Sequence, residues 1–337
     1  MWKETTEKEH NLKIYDEEIK GFVPDKVLDF HVHVFNDETI PENAPGFELP
    51  GVKLRSYTIP ELLEDFGTIF PGKECSAVVF GFPDERYDAD VNNRYVARAS
   101  DRRRTFPFRL IGPRERPETV EKELRDTGFY GVKPYLNYVT WKKPGDVEVN
   151  DMLPAGLMEV IDRLGLIVML HVPRQGRLAD PLNQAQVAGL AKNYPKAKIV
   201  LAHIGRAYYL RNIVGHLEKL AHLKNVYFDI SMINNWEVLE YLFGNCDRRK
   251  IIYGTDIPIA VCGGKSVEIN DQYTYVTSKP WHLSISDDHG KIVFTSFIYE
   301  QIRAVKKAVQ RLRLGDRFLE GLFSKNGEGL LKRAIHE

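Results

Sequence analysis

The sequence predicts an α/β protein: a (β/α)8 barrel with a C-terminal helical extension and long loops after its first and eighth strands. Three observations carry that expectation. Eight short apolar runs recur along the chain. Helix-like stretches separate them. Several runs end in a histidine or an aspartate just before a loop that bears Gly or Pro. Near-continuous apolar strands belong to parallel sheets covered by helices, and eight strand–helix repeats suit a closed barrel. An open doubly wound sheet is the alternative, but no glycine-rich dinucleotide turn follows the first strand.

Residues 1–25 precede the first run and read as an N-terminal extension packing on the barrel, which itself would span 26–337. They are charged and lack an apolar segment, so they do not read as a signal peptide. The eight runs are "KVLDFHVHVF" (26–35), "CSAVVFGF" (75–82), "FPFRLIG" (106–112), "YGVKPY" (130–135), "LIVMLHVP" (166–173), "KIVLAHIG" (198–205), "NVYFDIS" (225–231) and "KIIYGTDIP" (250–258). Between them, "PETVEKELRDTG" opens on Pro, places acids early and closes on Gly, the signature of a helix. "PAGLMEVIDRLG" and "QAQVAGLAKNYP" read the same way. Residues 36–58 and 259–294 break the rhythm. The second is expected to form an extended ribbon turning at "DDHG". Both follow strands, which places them on the C-terminal face of a barrel, where lids and binding loops sit. Residues 295–335 read as two helices around "LGD".

Composition narrows the function. The 337 residues carry 47 basic and 47 acidic side chains, a balance that argues against a nucleic-acid or membrane-surface binder. The basic run 101–117 reads as a solvated helix end leading into the third strand. No apolar segment is long enough to span a bilayer. Cys75, Cys246 and Cys262 are scattered, odd in number and without metal spacing, which fits a reducing cytoplasm.

Side chains alternate along a strand, so His31 and His33 point to one side, and Asp29 shares it. A single histidine in a strand is more often a hydrogen-bonded core residue than a ligand. The pattern here extends further. His171 closes the fifth run, His203 the sixth and Asp256 the eighth. Buried imidazoles and a carboxylate cost several kcal/mol unless paired or metal-bound. In a barrel, five such groups at equivalent strand ends would converge, and a cation would give all of them a partner. Imidazoles with a carboxylate suit Zn2+, with Mn2+ or Fe2+ as alternatives. Arg174 and Arg177 follow His171, and Arg206 follows His203; such forks recognise carboxylates, which predicts a small anionic substrate. Loop salt bridges are the structural alternative for any one of them. Trp281 is a candidate pocket wall.

"DFHVHVF", "LHVP", "LAHIG" and "YGTDIP" resemble the amidohydrolase superfamily, and most closely its amidohydrolase family 2 branch. "YTIPELLEDFG", "NNRYVARASDRRRTFPF", "TGFYGVKPY" and "LFSKNGEGLL" extend the likeness from about Lys26 to Leu331. The resemblance implies that His31, His33, His171 and Asp256 hold one divalent metal, and that His203 polarises a bound group or assists proton transfer. It also implies that Asp256 takes a proton from water and passes it to a leaving group. Lys133 stands where some superfamily members carry a carboxylated lysine bridging two metals, and where related deoxyribonucleases would have glutamate. The resemblance implies hydrolysis of a lactone or amide. Non-oxidative decarboxylation, known in the same branch for aminocarboxymuconate semialdehyde and resorcylate-type acids, and hydration of an unsaturated acid are alternatives. A barrel that binds metal without catalysis is a further, weaker one. A homodimer is also implied.

Overall fold

A computed structural model describes residues 7–287 and 289–335. Its centre is a ring of eight parallel strands: β1 (Lys26–His33), β2 (Glu74–Phe80), β3 (Thr105–Ile111), β4 (Gly131–Pro134), β5 (Ile167–Leu170), β6 (Lys198–Leu201), β7 (Val226–Asp229) and β8 (Ile251–Ile252). Each pairs with its neighbour in chain order. The ring closes between β8 and β1. There Phe30 N–H donates to the Tyr253 carbonyl at 3.0 Å, Asp256 N–H to His31 at 2.8 Å, and His33 N–H to Ile257 at 2.8 Å. All eight expected strands are present, and the fold is the predicted (β/α)8 barrel.

Helices cover the outside. Thr58 and Glu61 form a reciprocal capping box at the start of α1 (Ile59–Ile69). The predicted helix after β3 is α2 (Pro117–Thr127), stopped by Gly128 at φ 67°. α3 (Pro181–Asn193) begins under an Asp180 cap that accepts from the Leu182 and Asn183 amides. Inside the barrel, Leu28, Phe30, Val78, Phe80, Phe108, Ile167, Met169 and Val200 pack against one another and against Leu330 and Leu331 of the C-terminal helix α5 (Asn326–Ile335). That helix plugs the N-terminal mouth, and Gly327 lies so close to Leu28 and Phe30 that a Cβ would come within 2.9 Å. Burying each such Phe or Leu contributes roughly 1.5–3 kcal/mol. The opposite mouth is left for the site.

The segment before β1 is helical over Lys8–Ile14 and Tyr15–Ile19. Tyr15 stacks on Tyr299 of α4 (Phe297–Arg311), and Glu18 accepts both outer guanidinium contacts of Arg303. After β1, the short strands Phe47–Leu49 and Val52–Leu54 form a hairpin. After β8 come β9 (Gly264–Ile269) and β10 (Gln272–Thr277), antiparallel, and β11 (Ser284–Ser286), parallel to β10. The ribbon exists, but the turn joining its paired strands is not the one at "DDHG". Asn270 and Asp271 make it, at φ 50° and 58°, the left-handed pair that a two-residue hairpin loop requires. Around "DDHG", the Gly290 amide donates to the Asp287 carbonyl at the end of β11; Asp288 lies outside the described residues.

Candidate metal centre and substrate cavity

The C-terminal mouth encloses a cavity of about 400 Å³ that His31, His33, His171, His203, Asp256, Lys133, Arg206 and Trp281 all line. Three of the four histidines arrive with one ring nitrogen engaged. His31 Nδ1 lies 2.7 Å from Asp229 Oδ2, at the end of β7. His33 Nδ1 lies 2.9 Å from the Gly81 carbonyl, just past β2. His203 Nδ1 lies 3.0 Å from the Ser231 carbonyl. An acceptor at Nδ1 requires the proton there, so each Nε2 carries a lone pair.

Those lone pairs converge on a carboxylate. His33 Nε2 is 3.2 Å and His31 Nε2 3.5 Å from Asp256 Oδ1. Ligand atoms of His31, His203 and Asp256 all lie within 4.8 Å of one another. Acceptors facing acceptors at this range repel unless a proton or cation sits among them. Lys133 supplies part of that charge: its ammonium is 3.3 Å from His31 Nε2. His171 packs edge-on against His203, with ring centroids 5.4 Å apart, and its buried Nδ1 has no partner among the described residues. The donor set therefore fits a divalent cation. The tightest group contains His203, expected beside the metal, while His171, expected as a ligand, stands outside that triad.

Burial sets the charges. It pushes His31 and His171 well below the ordinary imidazole range and His203 down to about 4, so these rings are neutral at pH 7. Burial also lowers the Lys133 ammonium to about 8, against the pull of Asp256 and Asp229. Backbone strain marks the same place. His203, Ile204, Arg206 and Asp256 all have positive φ, between 55° and 73°. Such conformations cost of order 1–3 kcal/mol each and collect at functional sites. Beneath them Gly254 is obligatory, because a Cβ there would meet Asp229 Oδ1 at 2.4 Å.

The cations sort themselves. Arg206 lines the cavity and is braced by Nη1 bonds to the Val172, Pro173 and Arg174 carbonyls at 3.2, 3.0 and 3.4 Å. Arg174 does not line it; its Nε sits 3.1 Å from Asp180, the cap of α3, so the salt-bridge alternative applies to this residue. Arg177 does not line it either, and its guanidinium lies over aromatic rings instead. Trp281 is a wall, with Nε1–H donating to the Glu48 carbonyl at 3.2 Å. Asp29, expected on the face of His31, does not line the cavity; the register of β1 with β2 shifts between Asp29 and Val32. Asp29 accepts from the His31 and Thr255 amides and the Thr255 hydroxyl, and so ties β1 to β8.

The expected set omits Asp229, Ser231 and most of the walls, which are Phe47, Phe82, Tyr135, Tyr208, Tyr273 and Tyr275. Asp229 had a signal: it closes "VYFD" as His203 and Asp256 close their runs. Ser231 had none, since the turn that returns its hydroxyl 2.5 Å from Asp229 is a tertiary feature.

Comparison with known proteins agrees with the barrel fold. The amidohydrolase of Burkholderia multivorans with bound zinc superposes with a TM-score of 0.60 at 13% identity, covering 91% of this chain and 99% of that one. A probable 2-pyrone-4,6-dicarboxylic acid hydrolase from Acinetobacter baumannii, with citric acid bound, gives 0.56 at 16% identity over 91% and 99%. The 5-carboxyvanillate decarboxylase of Sphingomonas paucimobilis gives 0.56 at 12% over 92% and 99%. No curated protein matches the sequence. No described helix is long and apolar enough to cross a membrane. Residues 28–269 match the Amidohydro_2 amidohydrolase family, a match that runs from within β1 past β8 and takes in each of the five converging side chains, and the chain belongs to that family.

Proposed function

We propose that the protein is a metal-dependent hydrolase that opens a small, carboxylate-bearing lactone or amide. The observation that carries the reading is the convergence of His31, His33, His203 and Asp256, with His171 alongside, in a cavity flanked by one braced arginine. His31, His33, His171 and Asp256 would hold the ion, with Zn2+ the best match to nitrogen-rich donors. A divalent cation there supplies Lewis acidity to a carbonyl and acidifies water.

The chain's own groups do the rest. Arg206, held by three carbonyls, is positioned to receive the substrate carboxylate. Tyr135, Tyr208 and Tyr273 form flat walls that suit a planar ring. Asp256 accepts a proton and returns it to the leaving oxygen or nitrogen. His203, neutral at pH 7 with Nε2 unprotonated, accepts a hydrogen bond or proton during that exchange. Lys133 stabilises negative charge developing on the carbonyl oxygen.

The aromatic walls also favour a second reading, non-oxidative decarboxylation of an aromatic or unsaturated acid. There the same groups would stabilise a dienolate and deliver a proton to carbon. One experiment separates them: metal-loaded protein, a mixed library of lactones, amides and aromatic or enoic acids, and mass spectrometry. Gain of the mass of water by a lactone or amide supports hydrolysis. Loss of carbon dioxide from an acid would replace it with decarboxylation, and no turnover with any metal would overturn both.

A further inference from the structure

Among the described residues, Arg177 is an arginine without a carboxylate partner. Its guanidinium carbon lies 4.1 Å from the centre of the Tyr273 ring and 5.5 Å from those of Tyr208 and Tyr209. Nη1 reaches only Asn212 Oδ1, at 3.4 Å, and Nε is buried with no hydrogen-bond partner. The residue is held at φ 59°. That is an expensive way to place a cation: a strained backbone, an unsatisfied donor and no counter-ion. The rings are its compensation, since a guanidinium over an aromatic face is attracted by the ring quadrupole, more strongly when partly desolvated.

What the rings belong to gives this grip a purpose. Tyr273 is the second residue of β10 in the ribbon after β8, and Tyr208 sits in the loop after β6; their rings stack at 4.3 Å, and both line the cavity. Arg177 follows β5. Three separate elements therefore meet at one cation. A second tie lies beside it, where Arg211 pairs with Asp271 at the ribbon's turn. That pair is exposed and contributes little. At its other end the ribbon segment is fixed to the loop after β1, by Gly51 N–H to the Pro280 carbonyl and Trp281 Nε1–H to Glu48. The roof over the cavity is thus anchored at Trp281 and clamped at Tyr273.

We propose that Arg177 is a positioning residue whose cation–π grip on Tyr273 and Tyr208 latches the β9–β10 ribbon over the cavity and so fixes the wall against which substrate packs. The proposal rests on the reading of this cavity as the catalytic one; the latch itself does not depend on which reaction occurs there.

The test is hydrogen exchange of the metal-loaded protein, followed in peptides covering 264–277 and compared with barrel strands β5 and β6. In Arg177→Met, which keeps the stem but removes the charge and the plane, ribbon amides should exchange about tenfold faster while the strands keep wild-type protection. Arg177→Lys should recover part of it, because an ammonium retains the cation–π attraction. Tyr273→Leu approaches the same contact from the ribbon side and should loosen the same peptides, which keeps the test decisive if Arg177→Met folds poorly. Ribbon protection unchanged in Tyr273→Leu, or in a folded Arg177→Met, overturns the latch. With any substrate found in the library above, Arg177→Met should raise KM several-fold with a smaller change in kcat, and Arg177→Lys should restore KM. Absence of turnover would count against the proposed reaction alone, because the exchange result stands without it.

Discussion

Asp229 should control the affinity of the site without touching the ion. Its Oδ2 accepts from His31 Nδ1 at 2.7 Å, from the Ser231 hydroxyl at 2.5 Å and from the His203 amide at 3.4 Å, and its Oδ1 accepts from the Ser231 amide at 2.9 Å. Burial raises its carboxyl to about 6, but these donors all favour the anion. In Asp229→Asn the amide can present one acceptor only. The better orientation keeps oxygen toward His31 and turns NH2 against the Ser231 amide. One buried donor then faces another, at a cost of about 1–3 kcal/mol. His31 also loses a charged partner that makes its Nε2 more basic, and outer partners of this kind are worth about 10–100-fold in metal affinity. Competition with a chelator for Zn2+ should show that loss, and urea unfolding of metal-free protein should show the stability cost. Wild-type Zn2+ affinity in a folded Asp229→Asn would refute the reasoning, leaving Asp229 as a brace for the Ser231 turn and nothing more.

Other outcomes follow from the same geometry. His203→Asn should retain metal while kcat falls by roughly 10²–10⁴, whereas His33→Asn should lose metal with activity; because His203 stands in the tight triad with His31 and Asp256, equal metal loss in both variants would make it a ligand. Arg206→Ala should weaken binding of an acid substrate by about 2–5 kcal/mol and leave its neutral ester nearly unaffected, while Arg174→Ala, paired with Asp180, should treat acid and ester alike. Elemental analysis should find about one divalent ion per chain; two tightly bound ions, with a mass increase on Lys133, would make that residue a carboxylated bridge. Metal-free protein should lose stability as pH falls from about 6.5 toward 4, because unfolded histidines take up protons near 6.5 while folded His203 does so only near 4. The slope should approach about 1.4 kcal/mol per pH unit for each such histidine, and a urea midpoint flat between about pH 7 and 5 would contradict it.

The barrel was legible because its evidence is local and repeated. Each strand is an apolar run of a few residues, several helices carry their own Pro, Gly or capping signals, and the convergence of His31, His33, His171, His203 and Asp256 needs only the rule that strand ends share one mouth. The partners of the loop arginines were not legible. Arg174, Arg177 and Arg206 look alike in sequence, yet one serves a helix cap, one a stack of tyrosines and one the cavity. Their fates depend on residues up to about a hundred positions away, Tyr273 above all. The ribbon's turn was missed for a different reason. "DDHG" is the richer turn motif, but cross-strand pairing of Ile269 with Gln272 leaves only Asn270 and Asp271 to make the hairpin. Register outweighed composition.

Asp29 shows where period-two reasoning ends. Alternation places Asp29, His31 and His33 on one face of β1, but the register with β2 shifts between Asp29 and Val32, Leu28 and Phe30 pack inside the barrel, and Asp29 does not join the two histidines at the cavity. Alternation says nothing of depth. Each step of two residues descends about 6.6 Å toward the barrel floor. His33 and His31 are high enough to see the cavity, whereas Asp29 is held among Thr255 and the amides that close the ring. A carboxylate at that depth finds backbone donors. One at the rim, such as Asp256, has a side chain 19% exposed and finds the imidazoles of two strands. The same residue type thus closes the barrel at one level and furnishes its chemistry at another. The distance of a polar residue from the strand's C-terminal end, rather than its face alone, decides between the two.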